Sequence, residues 1–447
     1  MSLIVMTFGA AALQGGDLLT IGDTLRQSQQ AGNAIIAVVD ALPGVADMLR
    51  QGTELGSYSR VHNKLKSIHS NVARKLIRDE RDRALLIHDI EDILGSYQWL
   101  GRSIVNRQPT PTEAATMLAT GERLSARLLA TYLQHRGVPA HVLNSHEFLI
   151  NDDDSGTATI DLERSRQRCV DVITPLIDSG TLVIVACTGS SNGDNRPLRL
   201  AEDSLHLTAS LLAAMQQADG LWIMKHKDGI LSADPDYVTG ATTIPVLTTN
   251  TLSDLADYGV EIPHITTLSA AIEARIPIFV RSIFQPTHPG TYIQPWTNAA
   301  STPIGPIVIQ NPVGSIRASG LDPQAALATL HANGIPAVRS DEGAAFFVNQ
   351  AHLSRARHAL NQFSADATLG EQPDSQALVS LLNIHASSQN GLRDDMQAIL
   401  RNLGIAPLQI LSTLGRSGDT NLSTLVPSES VAAVVNEVHN LLRSLEQ

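Results

Sequence analysis

The chain has 447 residues, of which 43% are hydrophobic and 17% charged, and its formal net charge is −12. This length exceeds what one core usually holds, so we expect a globular protein of two to four domains. The acidic balance excludes a nucleic-acid surface, which needs clustered Lys and Arg. A membrane span is excluded because no apolar run approaches roughly 20 residues.

The cysteine count and the N-terminal run predict the compartment. Cys169 and Cys187 are too few for a disulfide scaffold or a cysteine zinc site. The apolar run Leu3–Phe8 has neither a basic leader nor a cleavage site, so no secretory signal is expected. A reduced cytoplasm is the predicted location.

The first half of the chain alternates strand and helix patterns. Apolar runs at Leu3–Phe8 and Ala34–Val39 predict two strands, and the helical pattern of Leu18–Gln30 between them predicts a right-handed parallel crossover. Residues 45–108 predict a helical layer. Further strands are predicted at Val138–Leu143, Thr181–Ala186, Leu221–Met224 and Pro277–Val280. We therefore expect an α/β domain over residues 1–296, with a mainly parallel sheet covered by helices.

Two longer helices are predicted in the same half of the chain. Glu113–His135 predicts one long helix with Thr112 as its N-cap, and Leu162–Asp178 predicts another. The stretch Trp296–Pro306, rich in small and turn residues, is the predicted linker.

Beyond the linker the pattern changes and repeats. Residues 307–375 and 376–447 each predict the order β-α-β-β-α. A polar segment, Ala365–Asp374, lies between the last predicted helix of the first module and the first predicted strand of the second. Two small modules of the same order indicate a duplication. The expected architecture is an α/β domain followed by two α+β, ferredoxin-like modules.

Two stretches carry a resemblance to a known family. Thr120–Leu133 is similar to the signature helix of the aspartate kinases, and Lys227–Pro235 is similar to their nucleotide-binding strand and loop. The chain resembles this family over nearly its whole length. The resemblance implies an amino-acid-kinase domain, a tandem pair of ACT regulatory modules, ATP with magnesium as cofactors, and a homodimer formed through the ACT modules.

The resemblance also implies binding residues. Glu122 matches the family residue that contacts the substrate ammonium, although a helix-surface carboxylate paired with Arg123 or Arg127 is an alternative. The nucleotide positions that match are Asp228, Gly229, Asp234 and Pro235, which are also plain turn formers. A small amino-acid effector is implied at Asn311–Gly320 and at Gln389, Asn390 and Gly391, where simple dimerisation is the alternative.

Other family positions are altered, and all of them concern charge. Thr7 stands where the family has a phosphate-binding lysine, and Asp40 where it has a serine. Glu202 replaces the arginine that grips the substrate carboxylate. His206 and His226 replace aspartates. Phosphoryl transfer depends on cations around the transferred group, so ordinary aspartate kinase turnover is not expected and no catalytic residue is assigned.

No metal site is predicted. His206 and His226 lack a third ligand in a recognisable spacing, and exposed histidines explain them as well. Cys187 is expected to be a small buried hydrophobe, with a reactive thiol as the alternative.

Three functional hypotheses remain open. The first is a catalytically impaired aspartokinase-like protein that regulates, or binds an amino acid, in aspartate-family metabolism. The second is an active ATP-dependent kinase of aspartate or of another small amino acid. Asp40 and Glu202 would suit a substrate that bears a positive group. The third is a pure amino-acid sensor whose N-terminal domain is a passive platform.

Overall fold

The structure is a computed structural model that forms two compact units. The first unit comprises Met1–Asp228 and Thr266–Pro289, and the second Gly229–Ile265 and Gly290–Gln447. The structure describes the chain except for residues 1, 14–17, 105–106, 108, 152–159, 188, 192–196, 199–203, 295–304, 340–344, 364–367, 385–388, 406–408, 415–419 and 446–447.

The elements follow one another in chain order as listed here. The strands are β1 Leu3–Phe8, β2 Ala34–Val39, β3 Ala140–Asn144, β4 Leu182–Ala186, β5 Ser190–Ser191, β6 Pro197–Leu198, β7 Gly220–Lys225, β8 Val246–Thr248, β9 Ile278–Ser282, β10 Thr291–Gln294, β11 Ile307–Ser319, β12 Ala337–Arg339, β13 Ala345–Asn349, β14 Thr368–Ile384, β15 Gln409–Leu414 and β16 Thr420–Pro427. The helices are α1 Leu18–Gln30, α2 Val45–Glu54, α3 Tyr58–Leu76, α4 Glu80–Ser103, α5 Pro111–Leu118, α6 Thr120–His135, α7 Leu162–Val172, α8 Thr174–Asp178, α9 Ser204–Met215, α10 Thr249–Asp257, α11 Ser269–Glu273, α12 Pro323–Ala332, α13 Leu353–Phe363, α14 Gln389–Asn402 and α15 Val431–Leu445.

The first unit is built on a parallel sheet, as the sequence predicts. Its strands lie in the order β3-β4-β2-β1-β7-β9, and every neighbouring pair is parallel. All six residues of β2 are buried, as expected where helices cover both faces of a central strand. One face packs against α1–α6 in a core that includes Phe8, Val39 and Leu124. The carboxyl ends of the strands share one edge, which is where open α/β sheets place ligands.

The second unit contains the predicted repeat. Its larger sheet has the order β12-β13-β11-β14-β16-β15, and the five pairings are antiparallel. The two β-α-β-β-α modules join through β11 and β14, which pair from Ile307 with Leu381 to Ser319 with Thr368. The same unit holds β8 paired with β10, in parallel. The α/β domain followed by α+β modules is therefore confirmed as the fold class, while the boundaries at 296, 307 and 375 stay a prediction.

Two predicted helices are each divided in the structure. The stretch predicted as Glu113–His135 forms α5 and α6, which meet at Ala119. The N-cap of α5 is Thr110, not Thr112: its hydroxyl accepts the Glu113 N–H, and Glu113 returns a bond to the Thr110 N–H. This reciprocal pair satisfies two free N–H groups and fixes the start. Leu162–Asp178 divides into α7 and α8, with Pro175 near the start of α8.

Several predicted loops of the second unit prove to be regular structure. β14 begins at Thr368, so the polar segment predicted at Ala365–Asp374 is mostly strand. Residues Asn311–Ser319 of the predicted effector loop belong to β11, with register shifts between Gln310 and Ser315. Pairing to β13 and β14 overrode the turn signals of the Asn-Pro and Gly residues here. Most of the predicted linker lies outside the described residues. Among the described residues, no helix combines the length and apolar character of a bilayer span.

Candidate functional site

Asp40 and Cys187 directly follow neighbouring strands, β2 and β4, at the carboxyl edge of the first unit's sheet. Val39 at the end of β2 pairs with Ala186 at the end of β4. The next residues, Asp40 and Cys187, are therefore brought side by side. The Cys187 thiol donates to the Val39 carbonyl over 3.4 Å, and the Ala41 N–H donates to Asp40 Oδ1 over 2.7 Å. Strand register thus fixes a carboxylate beside a thiol.

The third side chain comes from the first turn of α6. A Cβ added to Gly121 would lie 2.6 Å from Ala41 Cβ and 3.1 Å from Val45 Cγ1. Only glycine permits this close approach of the helix to the segment after β2. The approach places Glu122 next to Asp40 at the sheet edge.

Asp40, Glu122 and Cys187 form one cluster, named here the acid–thiol cluster. One ligand atom from each, two carboxylate oxygens and the sulfur, lie within 4.8 Å of one another, and the two carboxylates are half-buried. Burial raises the pKa of the Cys187 thiol well above its usual value, and the Glu122 and Asp40 carboxylates raise it further. The cluster therefore places two carboxylates beside a thiol whose neutral form is favoured.

Thr7 lies on the same face of the sheet as Asp40. It pairs with Val38, two residues before Asp40, and alternation along strands gives Thr7, Val38 and Asp40 a common face. Its side chain is 1% exposed, and its hydroxyl has no hydrogen-bond partner in the described part of the chain. A short buried threonine supplies no positive charge to a phosphate.

The alternative role of Glu122, as a helix-surface partner of Arg123 or Arg127, stays open. Arg127 pairs with Asp89, Nε to Oδ2, over 3.7 Å. Burial lowers the pKa of the Arg123 guanidinium, and the nearby charge of Glu147 opposes that shift. Glu122 also lies beside Asp40 and Cys187.

The predicted nucleotide residues are divided between the two units. Asp228 is the last residue of the first unit before the chain enters the second, and the Gln285 amide donates to its carboxylate over 3.0 Å. Gly229 begins the second unit with φ +111°, and a Cβ there would lie 2.9 Å from the Thr291 nitrogen. This backbone requirement explains the glycine without any ligand.

Asp234 and Pro235 lie in a turn of the second unit. The Asp234 carboxylate accepts the Asp236 N–H over 3.2 Å, and its carbonyl accepts the N–H groups of Tyr237 and Val238. Just before this turn, Ser232 Oγ lies 2.9 Å from His439 Nε2 on α15. These contacts belong to a turn packed on the second repeat, and the nucleotide role of Asp234 stays a prediction.

The remaining predicted residues fall in different places. His206 is half-buried on α9, and the His226 ring stacks on Phe284 with centroids 5.4 Å apart. Glu202 lies outside the described residues. Gln389, Asn390 and Gly391 begin α14 and are not a loop. The effector assignment therefore stays a prediction, now placed at a helix start.

Sequence reasoning missed the role of Cys187 as a neighbour of two carboxylates. Cys187 is buried, as predicted. Its partners come from β2 and α6, distant in the chain, so no spacing motif could reveal them. The usable signal was that Asp40 and Cys187 each follow an apolar strand, and parallel strands end at one edge.

Comparisons with known proteins agree on one family. The model of the amino acid kinase family matches residues 2–282. An aspartokinase of Candida albicans is 29% identical over 240 residues, which is 50% of this chain and 41% of that protein. The chain thus matches less than half the length of this curated relative.

Solved structures extend the likeness of fold to the whole chain. Escherichia coli aspartokinase III in complex with lysine and aspartate superposes with a TM-score of 0.76 at 20% identity, covering 98% of this chain and 99% of that one. The same enzyme in complex with aspartate and ADP gives a TM-score of 0.72 at 21% identity, with the same coverage.

Proposed function

The chain belongs to the amino acid kinase family, and from this premise we propose that it is an aspartokinase-like protein with impaired aspartate kinase activity. Its role would be regulatory or amino-acid-binding, linked to aspartate-family amino-acid metabolism. The observation that carries this proposal is the acid–thiol cluster. Two carboxylates and a buried thiol stand at the sheet edge where the resemblance places substrate and phosphate.

The charge of this edge opposes the aspartate kinase reaction. Aspartate brings two carboxylates, and the phosphoryl group spreads negative charge over its oxygens as it transfers. Asp40 adds a like charge beside the retained Glu122, and Thr7 supplies none of the positive charge of a lysine. Losing such stabilisation costs several kcal/mol of activation free energy, on the order of 10²–10³ in rate for each missing donor.

For the nucleotide, we propose only which residues would bind it. ATP would contact the first unit at Asp228. The Asp228 carboxylate accepts an exposed hydrogen bond from the Gln285 amide. Carboxylate oxygens suit magnesium, so Asp228 fits a magnesium–nucleotide ligand. The acid–thiol cluster does not fit the transferred phosphate, and no phosphoryl-transfer step is assigned to it. Asp228, Gly229, Asp234 and Pro235 stay proposed nucleotide residues.

The test is trapping of an acyl phosphate. The purified protein is incubated with ATP, magnesium, aspartate and hydroxylamine, with E. coli aspartokinase III as a positive control. We expect no hydroxamate above the protein-free blank, because the positions that bind the phosphate and the substrate carboxylate in the family are both altered in this chain. Hydroxamate formation at a rate similar to that of the control enzyme would overturn the proposal.

A second candidate is an active kinase of a different amino acid. The adjacent Asp40 and Glu122 carboxylates favour a substrate that carries an additional positive group. The same hydroxylamine assay, run with each of the twenty amino acids, tests this candidate, because any carboxyl phosphate is trapped. Hydroxamate with a basic amino acid alone would establish it in place of the first.

We further propose a homodimer formed through the two repeat modules. The resemblance to ACT modules supports this assembly, and the two modules share one six-stranded sheet within the chain. Light scattering should give the mass of two chains, and a single-chain mass at micromolar concentration would contradict it. Two buried free thiols, Cys169 and Cys187, agree with a proposed location in the reducing cytoplasm.

A further inference from the structure

Arg123, in the first turn of α6, is a half-buried arginine. Among the described residues its guanidinium makes neither a hydrogen bond nor an ion pair. Arginine carries five N–H donors and a permanent charge, and taking that charge out of water is costly unless a partner compensates it. The charged groups around Arg123 therefore decide which kind of partner it suits.

These groups gather at the end of β3. Arg123 is within electrostatic reach of Glu147 and Arg127, and the His146 ring is within reach of Glu147 and Arg123. The Nε of Arg168, on α7, donates to the Glu147 carbonyl over 3.2 Å. We call Arg123, Arg127, Arg168 and His146 the cationic cluster. It stands on a chain whose net charge is −12, so the chain's overall charge does not explain it.

The Glu147 carboxylate is engaged by neutral donors. Its Oε1 accepts the Asn144 N–H and the Asn144 side-chain amide, each over 2.7 Å, at the start of the short 3-10 helix Ser145–Glu147. Burial lowers the pKa of the Arg123 guanidinium, Glu147 opposes this shift, and Arg127 adds to it. Within the described part of the chain, Glu147 thus moderates the charge of Arg123 without forming an ion pair with it.

The cationic cluster lies at the carboxyl edge of the first unit's sheet. Asn144, the last residue of β3, pairs with Ala186, the last residue of β4, so Ser145–Glu147 begin beyond the strand ends. The Ser145 hydroxyl donates to the Gly189 carbonyl over 2.6 Å and accepts the Gly189 N–H over 2.9 Å. These bonds join the segment after β3 to the loop after β4. Open α/β sheets bind their ligands at this edge.

We propose that Arg123 binds an oxyanion, the carboxylate or phosphate group of a small ligand, at the end of β3. The planar guanidinium presents parallel N–H donors that match either group in a bidentate pair. Such a group supplies the acceptors and the opposite charge that Arg123 lacks among the described residues. The site differs in residues and in charge from the acid–thiol cluster, whose two carboxylates repel the same group.

The experiment measures the melting temperature of the full chain with sodium succinate and with sodium phosphate, each against sodium chloride at equal ionic strength. We expect at least one probe to raise the melting temperature by several degrees, because a ligand that binds only the folded state stabilises it. Arg123→Gln should lose this rise, and calorimetry should show probe binding weakened at least about tenfold. Arg102→Gln, at an exposed position near the end of α4, removes the same charge and should keep the wild-type response.

Stability without a probe gives a second readout, which a purely structural arginine would change. In chloride, Arg123→Gln should melt no lower than the wild type, because the described residues give the guanidinium no bond to lose. A lower melting temperature would show that Arg123 pairs within the chain, with Glu122 or Glu147, and would overturn the proposal. Equal responses of Arg123→Gln and the wild type to both probes would also overturn it, since phosphate stabilises proteins in general by exclusion from their surface.

The two probes separate the sources of the oxyanion. A rise that depends on Arg123 with succinate alone assigns a carboxylate ligand, and one with phosphate alone assigns a phosphate ligand. A rise with both assigns a site that selects charge rather than shape. The titrations contain neither ATP nor hydroxylamine, so their result and that of the acyl-phosphate assay are independent.

Discussion

At the scale of single residues, the charge at the carboxyl edge of the sheet depends on Asp40. A serine at this position, as the family resemblance implies, would leave Glu122 as the one carboxylate beside the substrate. Asp40 instead adds a second carboxylate within 4.8 Å of the first and of the Cys187 sulfur. We expect this substitution to weaken binding of a substrate that carries two carboxylates, because like charges repel.

His69 provides a residue-scale test of the helical layer. It is fully buried on α3, and because a carbonyl only accepts, Nδ1 donates to the Leu65 carbonyl over 2.7 Å. Burial lowers the pKa of His69 to about 4, from an ordinary value of 6.5. Between these two values the unfolded chain binds a proton that the folded chain excludes, so stability falls as pH falls.

We expect this single group to remove about 3 kcal/mol of unfolding free energy between pH 7 and pH 4. Urea unfolding across this range should therefore show a weaker pH dependence in His69→Gln than in the wild type. His88→Gln, at an exposed position on α4, is the control and should keep the wild-type dependence. Equal pH dependence in His69→Gln and the wild type would contradict the assignment.

At the scale of elements, the site depends on how closely α6 approaches the segment after β2. The approach is set by Gly121, whose position leaves no room for a Cβ beside Ala41. The registers of β1, β2 and β4 then fix which residues emerge at the edge. A shift of one residue in β2 would turn Asp40 to the opposite face of the sheet.

Gly121→Ala tests this approach. Its new Cβ would lie 2.6 Å from Ala41 Cβ, so α6 must move or the site must strain, and we expect a loss of about 1–3 kcal/mol. Gly95→Ala is the matched control, because Gly95 is an exposed helical glycine on α4 with nothing within 4 Å of the new Cβ. The control should gain up to about 1 kcal/mol from helix propensity.

Chemical denaturation of both variants gives the two free energies. A Gly121→Ala variant as stable as Gly95→Ala would show that the close contact relaxes freely.

At the scale of the whole molecule, ligand binding separates a sensor from a scaffold. A ligand that binds only the folded state stabilises it by about 2.7 kcal/mol when present at 100 times its Kd. We expect at least one amino acid among the twenty to raise the melting temperature by several degrees, consistent with a regulatory or amino-acid-binding role. ATP with magnesium forms a separate arm of the same screen.

The screen has a clear contrary result. If no amino acid shifts the melting temperature at millimolar concentration, the amino-acid-binding part of the proposed function is wrong. Gln389→Ala provides a check of the effector position, since it should reduce the shift only if the ligand binds at the start of α14.

The sequence by itself determined the fold class, the parallel sheet of the first unit and the repeat of the second. These follow from the period and order of apolar residues, which are local properties of the chain. Local signals also failed where pairing overrode them. Asn311–Ser319 joined β11 because neighbouring strands supplied its hydrogen bonds, and Thr110 displaced Thr112 as the N-cap because Glu113 completed a reciprocal bond.

Only the tertiary structure decided which side chains meet at the site. Asp40, Glu122 and Cys187 are distant in sequence, and they meet because parallel strands end together and Gly121 admits α6 to the same edge. The tertiary structure also places Asp234 in a hydrogen-bonded turn and divides the predicted nucleotide residues between two units. Such convergence depends on packing between distant segments, which no spacing along the chain encodes.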